Sequence, residues 1–378
     1  MKELIEYLKE SKITSTAPGP LKICLGNTST DLDSCVGSIL LAYFLTKSKK
    51  GEFYIPVING SIAKLKTQQM LSYHFDSCQV PLDSLIYFED ISASERAKAS
   101  QLEIILYDHN QLDPTQEYLL PYVKAIYDHH TDVKESLSVQ KIITLCGSAT
   151  SLVLTQSFVN MTSIDFDLAR FAIAPIIIDT KNLAADLYKY RWNEIDEAAY
   201  KLLKGILAPK GFDNSSYYEE LKKINEDTAA NLAQGMKVLL EKDYKNYKVK
   251  TLEGNEIIFG VAVIDVKLKK YLLHFGAGSL FKEFIQMSKL KGLKYLVVLG
   301  KIRKKLTKSL RDFLVFTEDT EYLKQWAKIF IKKYTDTISL THMKGFDNIP
   351  QCRYYTYSDV LFTRKKLEPL WRDVTEQI

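Results

Sequence analysis

The chain has 378 residues, of which 46% are hydrophobic and 26% charged, a composition that excludes disorder as its main theme and leaves room for two ordinary domains. No apolar stretch approaches the length that crosses a bilayer, and the start, "MKELIEYLKESK", lacks the apolar run and cleavage site of a signal peptide. Five scattered cysteines without a CxxC pair predict neither a disulfide framework nor a thiolate zinc site. We therefore expect a soluble cytoplasmic protein.

The charge divides unevenly along the chain. Residues 1–180 carry 15 Lys and Arg against 21 Asp and Glu, whereas residues 181–378 carry 36 against 25. Two interpretations stay open: drift in surface charge, or an acidic half that holds cations followed by a basic half that holds a polyanion.

The first half alternates short apolar runs with helix-length segments. Strands are predicted at 21–26, 53–58, 84–90, 102–110, 123–130 and 141–145. Runs of Ile, Val, Leu and Tyr in this rhythm predict a mostly parallel, doubly wound α/β sheet. Helical sequence follows from Ser148 to 207, and "APKGFDNSS" at 208–216 is the best candidate for a linker.

Beyond the linker the pattern predicts a smaller, mixed α/β domain. It opens with a helix at "SYYEELKKINEDTAANL" and continues through strands near "IIFGVAVID", "KYLVVLG", "DFLVF" and "CRYYTYS". We therefore expect one domain over 1–207 and a second over 217–378.

Acidic and imidazole side chains lie where the predicted elements end. "GNTSTDLDS" follows the first strand, "YDHN" ends the fourth, "YDHH" ends the fifth, and "IIIDT" closes an apolar helix. Ligands bind at the carboxyl ends of strands in doubly wound sheets, so these side chains are expected to converge. They are Asp31, Asp33, Asp108, Asp128, His129, His130 and Asp179.

Carboxylates that meet in one crevice repel each other unless cations are present, so the pattern predicts a site for two divalent ions. Oxygen-rich ligation with one or two imidazoles suits Mg²⁺ or Mn²⁺ better than zinc. Each motif alone also has an ordinary interpretation, because a DxD is often a turn or helix cap and adjacent histidines are often one packed and one solvated. The order DxD, DHN, DHH and DT, all at element ends, favours the metal site.

These motifs resemble those of the DHH phosphoesterase superfamily. The similarity covers nearly the whole chain, through "LGNTSTDLDS", "YDHN", "YDHH", "GSATSLV" and "IIIDTKN" to "TRKKLEP", a signature of the DHH-associated C-terminal domain. Within its branch of family II inorganic pyrophosphatases, exopolyphosphatases and prune proteins, the chain is most similar to yeast-type cytosolic exopolyphosphatases. The resemblance implies a metal-binding catalytic domain, a basic substrate-binding domain and an active site in the cleft between them.

Two departures from relatives matter. Bacterial pyrophosphatases carry His where this chain has Asn27, a harder and weaker ligand that shifts preference toward Mg²⁺. Prune proteins have DHR where this chain keeps His130, which argues against a purely prune-like role.

The resemblance also implies roles at the metals. One ion would lie among Asp31, Asp108 and Asp179 with Asn27 near, and the other among Asp33, Asp108 and His129. Asp108 would bridge the ions, which share a water of lowered pKa that attacks phosphorus. His130 would hydrogen-bond a phosphate oxygen or protonate the leaving group. For Asp128, orientation of the histidines and a strand-end cap both stay open.

Cations of the second half match the family's phosphate-binding positions. Arg364 and Lys365 lie in "TRKKLEP", which we expect in a loop before a helix that starts at Pro369, and Lys222 lies in "EELKK". "KIRKKLTKSLR", at 301–311, adds six cations including Arg303 and has two interpretations, a channel for long polyphosphate or a solvated face.

The sequence therefore predicts a monomeric exopolyphosphatase that removes terminal orthophosphate from linear polyphosphate, with two Mg²⁺ or Mn²⁺ ions and pyrophosphate as a poor substrate. The alternatives are a pyrophosphatase or nucleotide phosphodiesterase of the same superfamily, and a noncatalytic interaction protein of the prune kind. The sequence shows no membrane segment and no platform for nucleic acid.

Overall fold

The computed structural model describes residues 1–98, 101–132, 139–156, 159, 164–304, 309–342, 349–359 and 362–378. They form two compact units, Met1–Asn225 and Glu226–Ile378. Within the described ranges no helix is both long and apolar enough to cross a membrane.

The first unit surrounds a parallel sheet. Its strands are β1 Leu21–Leu25, β2 Tyr54–Val57, β3 Leu102–Tyr107, β4 Val123–Asp128 and β5 Gln140–Ile143. Its helices are α1 Lys2–Thr16, α2 Leu32–Ser48, α3 Ile62–Thr67, α4 Gln69–Ser77, α5 Ala93–Lys98, α6 Ala149–Leu154, α7 Phe166–Asp179, α8 Glu194–Leu207 and α9 Asn214–Glu226.

The sheet has the order β2-β1-β3-β4-β5, and every neighbouring pair is parallel. Buried apolar side chains cover both faces, one packed mainly by α2 and α7 and the other by 3-10 turns and α5. This confirms the prediction of a parallel α/β sheet. In this strand order the connections diverge between β1 and β3, which is the switch point where such sheets bind ligands.

Helix α2 is the central helix on the sheet and is buried along most of its length. Asp31 caps it, accepting a hydrogen bond from the backbone N–H of Ser34 at 3.0 Å. At Gly37 the helix has no side chain, and a Cβ there would lie 1.7 Å from the hydroxyl oxygen of Tyr107. The ring of Tyr107 can therefore lie directly against the helix backbone.

The strand predicted at 84–90 is wrong. The segment contains parts of two 3-10 turns, Leu82–Ser84 and Phe88–Ile91, and meets the sheet through one bridge between Ile58 and Tyr87. Asp90 accepts a hydrogen bond from the backbone N–H of Tyr87 at 2.9 Å. This local contact competes with strand pairing for the backbone donor.

The segment 208–216, proposed above as a linker, lies inside the first unit. Ala208–Lys210 forms a 3-10 turn and α9 already begins at Asn214. Tyr217 on α9 is buried in the core of this unit, and its ring centroid lies 5.3 Å from that of Phe212. The units divide instead after Asn225, and the catalytic and substrate-binding labels stay predictions.

The second unit is a smaller, mixed α/β fold, as the sequence predicts. Its strands are β6 Asp243–Lys250, β7 Glu256–Val263, β8 Tyr295–Leu299, β9 Arg303–Lys304, β10 Ser309–Phe316, β11 Leu340–His342 and β12 Cys352–Tyr357. Its helices are α10 Thr228–Ala233, α11 Met236–Lys242, α12 Leu268–Phe275, α13 Ala277–Lys291, α14 Thr320–Tyr334 and α15 Arg364–Glu376. The sheet order is β11-β12-β10-β8-β7-β6, with β9 beside β10, and the pair β7 and β8 is parallel.

His74 on α4 is expected to make the free energy of unfolding depend on pH in the acid range. It is fully buried, with Nδ1 2.7 Å from the hydroxyl of Tyr217 and Nε2 3.0 Å from the carbonyl oxygen of Phe171. Burial lowers the pKa of this imidazole from 6.5 to about 3. Between those two pH values the unfolded chain takes up a proton that the folded chain does not, so the free energy of unfolding falls as the pH falls.

We predict that His74→Gln flattens this decline by up to about 1.4 kcal/mol per pH unit. Urea unfolding at a series of pH values between about pH 4 and pH 6.5 measures the slope. His274→Gln, at an exposed histidine of α12, is the matched control. Equal slopes in the native chain and in His74→Gln would contradict the prediction.

Candidate metal centre

Three neighbouring strands deliver polar side chains to one edge of the parallel sheet. The loop from Gly26 to Asp31 follows β1, Asp108 follows β3, and His129 follows β4. Because β1 pairs with β3 and β3 with β4, the ends of the three strands are adjacent. Asp33, Asp108 and His129 therefore lie close together at this edge of the sheet, whereas the convergence of Asp31 and Asp179 with them stays a prediction.

Asp108 is at the centre of this group. It is buried, and its Oδ1 lies 3.0 Å from His129 Nε2. Asn27 Nδ2 donates to Asp108 Oδ2 at 2.5 Å and to the Asp108 carbonyl oxygen at 3.2 Å. The backbone at Asp108 has φ 60°, a left-handed conformation that Asp tolerates better than most residues and that recurs at functional sites.

Asn27 therefore acts on Asp108 through its amide nitrogen. Its own Oδ1 accepts hydrogen bonds from the backbone N–H and the hydroxyl of Ser29, at 2.9 and 2.6 Å. A metal would need the oxygen, because an amide nitrogen is not a ligand. The role of Asn27 as a metal ligand stays a prediction, and in this arrangement Asn27 orients the Asp108 carboxylate.

Asp128, which is fully buried, contacts His130 directly. Its Oδ1 lies 2.7 Å from His130 Nδ1 and also accepts from the backbone N–H groups of His129 and His130, at 2.8 and 3.2 Å. Its Oδ2 accepts from Asn110 Nδ2 at 2.7 Å. Asp128 thus caps the end of β4 and also orients the imidazole of His130. These are the two roles that the sequence left open, and they are compatible with each other.

The charge state of Asp128 follows from these contacts. Burial acts to raise the pKa of the carboxyl, but His130 and the two other nearby imidazoles hold that pKa well below its usual range. An ionised Asp128 accepts a hydrogen bond from the Nδ1–H of His130 and so orients that ring and fixes its tautomer.

Asp33 is held by the start of α6. Its Oδ1 accepts from Ser148 Oγ at 2.8 Å and from the backbone N–H and hydroxyl of Thr150, at 3.0 and 2.7 Å. Its Oδ2 accepts from the Ala149 N–H at 2.7 Å and lies 3.8 Å from His129 Nε2. Burial, and after it the negative charge of Asp108, raises the pKa of the Asp33 carboxyl; a nearby cation would oppose both effects.

The residues present fit a divalent cation. Among the described side chains, Asp108, His129 and His130 form one group whose ligand atoms lie within 4.8 Å of one another. Carboxylate and imidazole are both donors that divalent metal ions accept in proteins, and Mg²⁺ or Mn²⁺ as the bound ion stays a prediction. Two buried carboxylates, Asp33 and Asp108, so near each other would also be stabilised by positive charge.

Asp31 and Asp179 are placed differently. Asp31 serves as the cap of α2, which is the ordinary interpretation of a DxD motif. Asp179 is the last residue of α7, and its carbonyl oxygen accepts from Arg191 Nε. Neither belongs to the group of ligand atoms just described, so their roles as ligands stay predictions.

The residues predicted to bind phosphate in the second half lie in a different local structure from the one predicted. Arg364 and Lys365 are the first residues of α15, with Thr363 as its cap, and Pro369 lies inside the helix rather than at its start. The predicted loop is therefore wrong: α15 continues through Pro369, although a proline beyond the first turn removes one backbone hydrogen bond and crowds the preceding turn. Arg364 Nη1 lies 2.6 Å from Asp243 Oδ1 on β6.

Lys222 and Arg303 complete the predicted set. Lys222 belongs to the first unit, on α9, where its Nζ lies 2.9 Å from Glu219 Oε2. Arg303 lies on β9, but its side chain and residues 305–308 of the basic run lie outside the described part of the chain.

Sequence reasoning missed several polar residues that hold the centre together. Asn110 lies in the quoted "YDHN" motif and Ser148 and Thr150 in "GSATSLV", so the motifs contained the signal although no role was assigned. Asp196 on α8 lies outside every motif and contacts the same loop, as described below.

Comparison with known proteins finds one family model and several similar proteins, of which three are described here. Residues 220–374 match the family model of the DHHA2 domain. A Schizosaccharomyces pombe protein named "Putative exopolyphosphatase" is 25% identical over 391 residues, covering 100% of this chain and 96% of that protein. "Exopolyphosphatase PRUNE1" of Rattus norvegicus is 26% identical over 287 residues, covering 74% of this chain and 60% of the rat protein. An exopolyphosphatase-related protein from Bacteroides fragilis, known from its crystal structure, has a TM-score of 0.43 and 11% identity over 100% of this chain and 96% of that chain, a likeness that says nothing of function.

We predict that Asp108→Asn lowers the affinity for Mn²⁺ by more than about tenfold, because it removes the charge at the centre of the group. Isothermal titration of the folded variant measures the affinity. Asp76→Asn, at an exposed position of α4, is the control for loss of one carboxylate. Native affinity in Asp108→Asn would remove this residue from the metal centre.

Proposed function

We propose that the chain is a metal-dependent exopolyphosphatase of the DHH phosphoesterase superfamily, which releases terminal orthophosphate from linear inorganic polyphosphate; the DHHA2 match and the similarity to the S. pombe protein support this. The observation that carries the proposal is the contact between Asp108 and His129 at 3.0 Å, with His130 beside them and held by Asp128. The similarity to the S. pombe protein over nearly the full length of both chains supports the choice of substrate.

The reaction breaks a terminal P–O–P bond, and the oxygen of a water forms the new P–O bond. Two divalent ions, when bound by Asp31, Asp33, Asp108, His129 and Asp179, would supply positive charge for the phosphate oxygens and lower the pKa of the water. His130 presents Nε2 to the substrate, to hydrogen-bond a phosphate oxygen or to give a proton to the departing oxygen. Asp128 stabilises the protonated imidazole and fixes which nitrogen faces the ligand.

The basic second half supplies cations for the anionic chain. Phosphoryl transfer depends mainly on positioning and on neutralising the oxygens, so cationic side chains contribute much of the catalysis. Arg364, Lys365, Lys222 and Arg303 are the residues proposed to bind the substrate. The excess of Lys and Arg over residues 181–378 supports a polyanionic substrate.

The wider setting is part of the same proposal. We expect a monomer that acts in the cytoplasm, where its five free cysteines, four of them buried, would stay reduced. A noncatalytic role of the prune kind is the weaker alternative, because an interaction protein does not require the ordered contacts around Asp128 and His130.

We predict that the purified protein with Mg²⁺ releases orthophosphate from tripolyphosphate and long polyphosphate faster than from pyrophosphate. Product analysis against these substrates and a dinucleotide, with a chelator as the metal-free control, measures the preference. Faster cleavage of pyrophosphate would make the protein a pyrophosphatase, and cleavage of the dinucleotide alone would make it a phosphodiesterase.

We predict that Arg364→Ala raises KM for polyphosphate while Mn²⁺ affinity is unchanged, because the guanidinium binds substrate rather than metal. Arg364 also pairs with Asp243, so Asp243→Asn tests whether loss of that pair alone has the same effect. Arg372→Ala, which breaks an ion pair with Glu368 on the same helix, is the matched control. An unchanged KM, or an equal rise in Asp243→Asn, would assign Arg364 to the fold of the second unit.

A further inference from the structure

A buried carboxylate behind the metal centre has more partners than its local role requires. Asp196, in the first turn of α8, is fully buried. It forms a capping box with Asn193, whose backbone N–H donates to Asp196 Oδ2 at 3.0 Å. In a capping box, the side chain of the third helical residue makes only this one hydrogen bond.

The other hydrogen bonds of Asp196 reach a distant segment, residues 147–151. Asp196 Oδ2 accepts from the Gly147 N–H at 2.8 Å. Asp196 Oδ1 accepts from the Ser148 N–H at 3.1 Å and from Ser151 Oγ at 2.7 Å. Both oxygens of the carboxylate are therefore committed to the loop that leads into α6.

Residues 148–150 of the same segment also donate hydrogen bonds to Asp33. Ser148 is the cap residue of α6, yet its hydroxyl makes no capping bond to its own helix and donates instead to Asp33 at 2.8 Å. Its backbone N–H meanwhile donates to Asp196. Ser148 thus joins two buried carboxylates, and Asp33 takes the place of the cap by accepting from Ala149 and Thr150.

Gly147 makes this joint compact and extends it toward the end of α7. A Cβ at position 147 would lie 2.8 Å from the carbonyl oxygen of Arg191 and 2.8 Å from Thr180 Cγ2. Arg191 in turn donates to the carbonyl of Asp179. The turn at the start of α8 therefore contacts both the loop that holds Asp33 and the helix end that carries Asp179.

We propose that Asp196 is a positioning residue of the metal centre: through residues 147–151 it fixes the Asp33 carboxylate with Oδ2 toward His129 Nε2. This proposal rests on the metal centre of the proposed function, but not on the identity of the substrate. Removing the charge of Asp196 leaves the backbone N–H groups of Gly147 and Ser148 with a weaker acceptor, so the loop loses the contact that fixes it.

The test measures metal binding without substrate. Asp196→Asn is titrated with Mn²⁺ by calorimetry, at a temperature where near-UV circular dichroism shows a native fold. We expect the affinity to fall about tenfold to a hundredfold, as for other residues that orient metal ligands. Glu194→Gln is the matched control, because Glu194 lies in the same helical turn but is exposed and pairs with Lys189.

Two further variants keep the proposal open to contradiction if Asp196→Asn does not fold. Ser151→Ala removes one bond to Asp196, and Ser148→Ala removes the hydroxyl bond to Asp33 but spares the backbone; both are expected to weaken Mn²⁺ binding. Native affinity in the folded variants, with reduced affinity in Asp33→Asn, would leave Asp196 as a helix cap only. Native Mn²⁺ affinity in Asp33→Asn would overturn the proposal, because Asp33 would then contribute nothing to metal binding. Because orthophosphate release is assayed separately, an inactive protein with these metal effects would contradict the proposed function alone.

Discussion

Carboxylates buried at the carboxyl end of one parallel sheet dominate the structure of the first unit. They are Asp33, Asp108, Asp128 and Asp196. A buried charge is costly unless donors or cations surround it, and the chain supplies donors from several directions. The start of α6 serves Asp33 and Asp196, and the residues after β4 serve Asp128. Asp108 differs from the other three carboxylates in its partners, which include the imidazole of His129 and the side-chain amide of Asn27.

This arrangement explains why the sheet matters more than any one motif. Parallel strands bring their carboxyl ends to the same edge, and the order of this sheet places β1 beside β3 at the point where the connections diverge. Side chains far apart in the sequence thereby become neighbours without a dedicated binding loop. The polar loops can then vary while the buried strands hold their starting points in place.

Much of this could be predicted from the sequence. The apolar runs before Asp33, Asp108 and His129 indicated the strands, and the rule for strand ends then predicted their convergence. The segment at 84–90 failed because its apolar residues fit a strand, whereas Asp90 turns the backbone locally. Pro369 failed because proline at a helix start is common, while here α15 begins five residues earlier. Asp196 could be recognised as part of a capping box in "NEID", but its bonds to residues 147–151 depend on tertiary packing that no local pattern records.

The close approach of Tyr107 to Gly37 has a consequence for how this protein can evolve. The tyrosine hydroxyl lies over the helix backbone at Gly37, and the same oxygen lies 3.4 Å from Asp33 Oδ1 and 3.2 Å from Thr150 Oγ1. An added methyl group on α2 would therefore push a β3 side chain into the polar network. Any side chain at position 37 would require Tyr107 to move, so we expect substitutions at these two positions to be coupled.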